Sequence, residues 1–149
     1  ICVLGAFEVD QEGNLANWMI PGGYVAGMGG AADLVVGSNR VIAAMTHRNP
    51  SGQPKLMTAC DLPITAAKCV NTVVTDLGVF DISDGVFECR ELAPDVTWED
   101  VESSTGGSLV RSDQLSSAQG PPEEDAQLAH DARDEEEGEL VGGSDWQGD

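Results

Sequence analysis

Gly27-Met28-Gly29-Gly30 runs directly into Ala31-Ala32-Asp33-Leu34-Val35-Val36. Three glycines in four residues oppose a helix interior, whereas the segment from Ala31 onward contains no breaker. The stretch therefore predicts a glycine-rich turn feeding the N-terminus of a short helix. Before it, Ile1–Val9 is mostly apolar with β-branched residues and reads as one buried strand; after it, Arg40–Thr46 (RVIAAMT) reads as a second. Strand, helix and strand in that order predict an α/β fold with an open, mainly parallel sheet.

Outward from this unit, Asp10-Gln11-Glu12-Gly13-Asn14 is turn chemistry, and Leu15–Ile20 is a short apolar run stopped by Pro21-Gly22-Gly23. His47–Gln53 reads as a loop and Lys55–Asp61 as short and irregular. Thr65 to about Asn71 is compatible with a helix, and Thr72–Thr75 and Gly78–Ile82 read as strand. Ser83-Asp84-Gly85 between two alternating apolar segments predicts an antiparallel hairpin. Thr97, with Asp100 three residues on, predicts a capping box opening a short helix that Gly106-Gly107 ends. From Arg111 the apolar periodicity vanishes, so residues 111–149 are expected to be disordered and residues 1–110 to form the folded part.

Charge supports that division. The 149 residues carry 26 acids against 7 bases, a net charge of −19, with ten of those net charges in residues 111–149. Such an acidic chain repels phosphate backbones and anionic lipid surfaces, so nucleic acid and membrane are not expected as partners. No apolar run approaches the length of a membrane span. The chain opens at Ile1 without a charged leader, and an opening in mid-strand reads as a fragment of a larger protein. Cys2, Cys60, Cys69 and Cys89 form no Cys-x-x-Cys pair, which points to four reduced thiols in a cytoplasmic protein rather than a zinc site or disulfide framework.

Three stretches are more specific. Leu4–Asp10 leads into Gly13-Asn14-Leu15-Ala16-Asn17-Trp18-Met19-Ile20-Pro21-Gly22, then Gly27-Met28-Gly29-Gly30-Ala31 and Asp33-Leu34-Val35. Farther on come Thr75-Asp76-Leu77-Gly78-Val79-Phe80 and Glu91-Leu92-Ala93-Pro94. In this order and spacing they resemble the C-terminal half of the B-type subunit of the class I 3-oxoacid CoA-transferases, over about Ile1 to Val110. The resemblance implies an open sheet of the CoA-transferase type. It also implies transfer of coenzyme A from an acyl-CoA, succinyl-CoA above all, to a 3-oxo acid such as acetoacetate or 3-oxoadipate. Coenzyme A is then a substrate, no cofactor is permanently bound, and the partner is the A-type subunit of the CoA-transferase.

The chemistry so implied passes through an enzyme glutamate that attacks the thioester, and each attack develops an oxyanion that needs preorganised donors. A glycine turn suits this need, because backbone N–H groups can approach a carbonyl with no Cβ in the way. Matched onto this chain, Gly30 is the oxyanion donor and Gly27, Gly29 and Ala31 are the coenzyme A contacts. The competing reading of the same glycines is a packing turn that lets a helix lie close to a sheet.

The chain departs from the family pattern in four ways. The family's glutamate sits in a Ser-Glu-Asn-Gly stretch that does not occur here, and Glu8 and Glu12 do not match it and read as solvated acids. Gly23 stands where a lysine is usual, Ala32 where a methionine is usual, and the acidic tail has no counterpart. This chain by itself is therefore expected to be inactive. A second reading is a non-catalytic interaction module derived from a transferase half, and a third assigns the acidity to a high-salt cytoplasm. His47 reads as a solvated loop histidine, Asn14 and Asn17 as turn or backbone ligands near the site, and Trp18 and Trp98 as core or interface anchors. Trp146, among polar residues and glycine, has no structural role in this reading.

Overall fold

The structure is a computed structural model that describes residues 1–118 apart from 21, 24, 26 and 28. Its larger sheet holds strands β1 (Cys2–Gly5), β4 (Val41–Ala44), β6 (Val70–Val74), β7 (Gly78–Ser83), β8 (Val86–Leu92) and β9 (Leu109–Ser117), in the order β1-β4-β6-β7-β8-β9. β1, β4 and β6 pair in parallel, β7 is antiparallel to both its neighbours, and β8 and β9 are parallel. β7 alone is reversed, so the open, mainly parallel sheet expected from the sequence is what forms. A smaller sheet joins β2 (Glu8–Asp10), β3 (Leu15–Ala16) and β5 (Leu56–Met57) in the order β3-β2-β5.

Two helices complete this part of the chain. α1 (Ala31–Val36) begins at Gly30, as the glycine turn predicts, and α2 (Trp98–Ser104) is capped by Thr97 with the complete reciprocal pair to Asp100. The hairpin forms where expected: Asp84 and Gly85 both have positive φ, 51° and 75°, the type I′ geometry whose twist matches the flanking strands. One buried cluster unites all layers. Val9, Leu15 and Leu56 of the small sheet meet Val41, Val73, Phe80 and Phe87 of the large one, with Val35 from α1 and Val101 from α2. Each fully buried phenylalanine contributes roughly 2–3 kcal/mol of hydrophobic stabilisation.

Three expectations need correction. Ile1–Val9 is not one buried strand: it breaks at Ala6-Phe7, its two halves enter different sheets, and β1 lies at a sheet edge with Ile1 and Val3 exposed. Thr65–Asn71 is not a helix. The N–H groups of Thr65 and Ala66 donate to the carbonyl of Leu15, those of Cys69 and Val70 donate to that of Gly13, and Lys68 has φ +50°. These donors are committed to partners about fifty residues away. Order does not stop at Arg111 either, because β9 continues to Ser117 on the ladder of β8, and Ala118 donates to Leu92. Leu115 packs against the core and the Arg111 guanidinium lies 4.3 Å over the Trp98 ring. The remainder of the tail, including Trp146, lies outside the described residues.

Candidate functional site at the carboxyl edge of the sheet

Parallel α/β sheets gather their functional groups beyond the carboxyl ends of the strands. Here those ends are followed by Ala6-Phe7, Met45-Thr46-His47 and Thr75-Asp76-Leu77. α1 packs against β1, and only residues 37–40 separate it from the start of β4. Its C-terminus therefore faces the amino edge of the sheet and its N-terminus, with the glycine turn, faces the carboxyl edge.

The segment leading to the turn is pinned at that edge. Asn17 donates from Nδ2 to the Gly5 carbonyl at 3.1 Å and accepts from the Thr65 hydroxyl at 2.6 Å. Asn14 donates to the Asp10 carboxylate and accepts from the Lys68 N–H. Both asparagines thus bind neighbouring backbone, as the sequence suggests. Met19 bridges to Val25, and the Gly23 N–H donates to Ile20 O across a turn with Gly22 at φ +73°. Among the described residues a Cβ at Gly23 would meet only ordinary contacts with Ile20, so these residues leave room for a side chain there.

Gly27 and Gly29 have φ of +75° and +46°, which side chains oppose, while Gly30 has an ordinary φ of −84° as the N-cap of α1. An added Cβ at any of the three meets nothing within 4 Å among the described residues, so these glycines do not serve close helix–sheet packing. All three are exposed. The Gly30 carbonyl accepts from Leu34, closing the first helical bond, but the N–H groups of Gly27, Gly29, Gly30 and Ala31 have no acceptor among the described residues. Backbone donors on an open turn at a helix start carry positive potential and can stabilise a developing negative charge.

Beside this segment a cavity of about 470 Å3 opens between Phe7, Ile20, Pro50, Pro54 and Leu62. Lys55 and Glu8 also line it. Glu8 is not a freely solvated acid, since its Oε2 accepts from the N–H groups of Asp61 and Leu62 at 2.9 Å each. Glu12 is exposed and pairs with Lys68 at 3.5 Å. Lys55 is partly buried, and its Nζ donates to the Thr46 hydroxyl at 3.3 Å. Burial lowers its pKa, with Asp76 acting in the opposite direction. The sequence reading missed this residue, although it is one of only two lysines in an acid-rich chain.

His47 also departs from its sequence reading. It is fully buried, packs on Phe80 at 5.2 Å between ring centroids, and bonds Thr75 through Nδ1 and Thr105 through Nε2, each at 3.0 Å. Burial drives its pKa down to about 4, with Asp76 raising and Arg48 lowering it, so it is a neutral structural pin rather than a solvent-facing base. The cysteines are free, and burial pushes the thiols of Cys60 and Cys89 up to about 12 and about 11, away from nucleophilic use. Among the described residues no cluster of His, Cys, Asp or Glu could hold a metal ion, and no helix is long and apolar enough to cross a membrane.

Residues 1–104 match the family model described as coenzyme A transferase. The chain belongs to the coenzyme A transferase family. It is 48% identical over 118 residues to the beta subunit of the acetate CoA-transferase of Haemophilus influenzae, covering 79% of this chain and 53% of that protein. It is 47% identical over 105 residues to the B-type subunit of the probable succinyl-CoA:3-ketoacid coenzyme A transferase of Bacillus subtilis, covering 70% and 49%. This coenzyme A transferase chain thus spans about half the length of the curated relatives it matches. The fold recurs in a crystal structure of an acyl-CoA transferase from Escherichia coli O157:H7, with TM-score 0.69 at 22% identity over 79% of this chain and 27% of that one.

Proposed function

We propose that this chain is the C-terminal part of the B-type subunit of a 3-oxoacid CoA-transferase. The complete enzyme moves coenzyme A from succinyl-CoA to a 3-oxo acid, acetoacetate in the first instance. The A-type subunit completes the active site, no cofactor is permanently held, and the enzyme works in the cytoplasm. The observation that carries this reading is the open glycine turn at the carboxyl edge, in a chain of this family, with N–H groups that have no acceptor among the described residues.

The nucleophile in this reading is a glutamate in the part of the protein that this chain does not span. Its carboxylate adds to the thioester carbonyl, and the carbonyl oxygen becomes an oxyanion that accepts from the Gly30 N–H. Collapse expels the coenzyme A thiolate and leaves a glutamyl anhydride. The thiolate then adds to the glutamyl carbonyl, releasing the first acid and leaving a glutamyl thioester. The acceptor acid runs the same steps in reverse. Gly27, Gly29 and Ala31 line the coenzyme A chain beside the reacting carbonyl. A single oxyanion donor of this kind is worth roughly 100–1,000-fold in kcat. On this account the 149-residue chain alone is inactive.

A second substrate reading is supported by the name of one relative, an acetate CoA-transferase, and replaces the 3-oxo acid with acetate. The test is co-expression of the full-length B-type and A-type subunits, followed by assay of coenzyme A transfer from succinyl-CoA to acetoacetate, 3-oxoadipate and acetate. Acetoacetyl-CoA as the fastest-formed product supports the proposal; acetyl-CoA alone shifts it to the acetate reading. Absence of transfer to every acceptor overturns it in favour of a non-catalytic interaction module.

A further inference from the structure

Resting on the function proposed above, the geometry points to a role for the cavity beside the glycine turn: we propose that it seats the acid substrate, with Lys55 binding its carboxylate and Phe7, Ile20, Pro54 and Leu62 enclosing its short carbon chain. Three observations converge on this assignment. The first is charge. In a chain of net charge −19, Lys55 makes no ion pair among the described residues, whereas Lys68 pairs with Glu12 and Arg40 and Arg90 both pair with Asp81. Among the described residues the Lys55 ammonium, with three protons, makes one bond, to a neutral hydroxyl at 3.3 Å.

The second is the placement of that ammonium. The Lys55 N–H donates to the His47 carbonyl at 3.0 Å, and the His47 N–H in turn donates to the Asp76 carboxylate at 2.6 Å. The backbone at Lys55 is therefore fixed to the carboxyl ends of β4 and β6, and the Thr46 hydroxyl orients its side chain. The other charged wall group, Glu8, directs one oxygen at two N–H groups of the 61–62 segment, which partly neutralises it. The third is the lining. A polyphosphate needs several cations, and this cavity's lining offers one, Lys55. The neutral polar groups of Thr46, Asn49 and Gln53 form one part of the wall and Phe7, Ile20, Pro50, Pro54 and Leu62 the rest; a monocarboxylate with a short carbon chain and a second polar group matches that lining. Ile20 belongs both to the cavity wall and to the segment that leads into the glycine turn, so an acid held here lies toward the donors assigned to the oxyanion.

The test uses the complete enzyme, assembled from full-length subunits of both types and labelled with carbon-13 lysine. The Lys55 Cε signal is identified by its loss in Lys55→Arg, and its pH midpoint is recorded without ligand, with acetoacetate and with acetoacetamide, the neutral analogue. Acetoacetate should raise the Lys55 midpoint and acetoacetamide should leave it unchanged, with Lys68 unmoved by both. In steady-state assays Lys55→Met should raise KM for the acceptor acid roughly tenfold or more, the loss expected for one charge-assisted bond, and leave KM for the acyl-CoA within about twofold. A midpoint that ignores acetoacetate overturns the inference even if the enzyme transfers coenzyme A. A midpoint that responds while no transfer occurs upholds the acid site and removes the transferase reading instead. Equal rises in both KM values from Lys55→Met also overturn it, since they assign Lys55 to general architecture.

Discussion

His47 Nε2 and Thr105 Oγ1 lie 3.0 Å apart, and the proton between them belongs to the imidazole. The Thr105 hydroxyl directs its own proton to the Val101 carbonyl at 2.8 Å, so it can only accept from the ring. Nδ1 is then the bare nitrogen and accepts from the Thr75 hydroxyl. A second ring proton would break that bond inside a fully buried site, which is the structural counterpart of a pKa near 4.

Acid sensitivity follows from this pin. The folded-state pKa lies below the ordinary histidine value of 6.5, so the unfolded chain takes up a proton first as pH falls. The contribution is complete above about pH 6.5 and is lost progressively down to about pH 4, to a total of about 3 kcal/mol. Urea unfolding at about pH 7.5 and about pH 4.5 should show the difference, and His47→Gln should abolish this histidine's part of it. An unchanged pH dependence in the variant would rule out the pin.

Two glycines should answer alanine and valine scanning in opposite ways. Gly13 has φ +79°, and a Cβ there would lie 2.8 Å from the Val70 carbonyl oxygen, so Gly13→Ala should lower stability by more than about 1 kcal/mol. Gly30 has an ordinary φ, and an added Cβ meets nothing within 4 Å among the described residues, so Gly30→Val should cost only about 1 kcal/mol at the cap while depressing turnover of the assembled enzyme at least tenfold. Thermal unfolding and initial rates on the same samples separate the two effects. Parallel loss of both in Gly30→Val would return the turn to a purely structural role.

Asp10 is expected to be the most sensitive carboxylate for folding. It is 3% exposed, and its oxygens accept from the Glu12, Asn14 and Cys60 N–H groups and from Asn14 Nδ2. Asp10→Ala strands these donors and should remove about 2–4 kcal/mol in chemical denaturation, whereas Glu12→Ala, on the surface, should stay within about 0.5 kcal/mol of the parent.

Thiol chemistry supplies a fourth check. With Cys60 and Cys89 raised by burial to about 12 and about 11, both should resist iodoacetamide at about pH 8 in the folded protein and react on unfolding. Peptide mapping of native and urea-treated samples reads this directly. Rapid native labelling of Cys60 would contradict the burial that sets its pKa.

What the sequence disclosed was local chemistry. The glycine turn before α1, the Asp84-Gly85 reversal and the Thr97–Asp100 cap each depend on residues within three or four positions of one another, so their patterns survive in one dimension. The failures all involve distant partners. Nothing within Thr65–Asn71 reveals that its donors answer to Gly13 and Leu15, and nothing in Leu109–Ser117 announces the ladder offered by β8. His47 looks solvated until Thr75, Phe80 and Thr105 close around it, and Lys55 looks ordinary until the cavity wall isolates its charge. The roles of Gly27, Gly29, Gly30 and Ala31 rest on resemblance to the family, a signal carried by the order of whole motifs and not by any local pattern.

The two-residue connection between β7 and β8 also bears on the order of assembly. Closing so short a loop carries little chain entropy, and a hairpin of this kind forms in about 1–10 μs. The pairing of β1 with β4 must instead gather ends separated by some forty residues, including the whole glycine turn. The reversed strand at the middle of the sheet is thus suited to act as a nucleus onto which the parallel strands add later, with the edge that bears the glycine turn waiting on the longer closure.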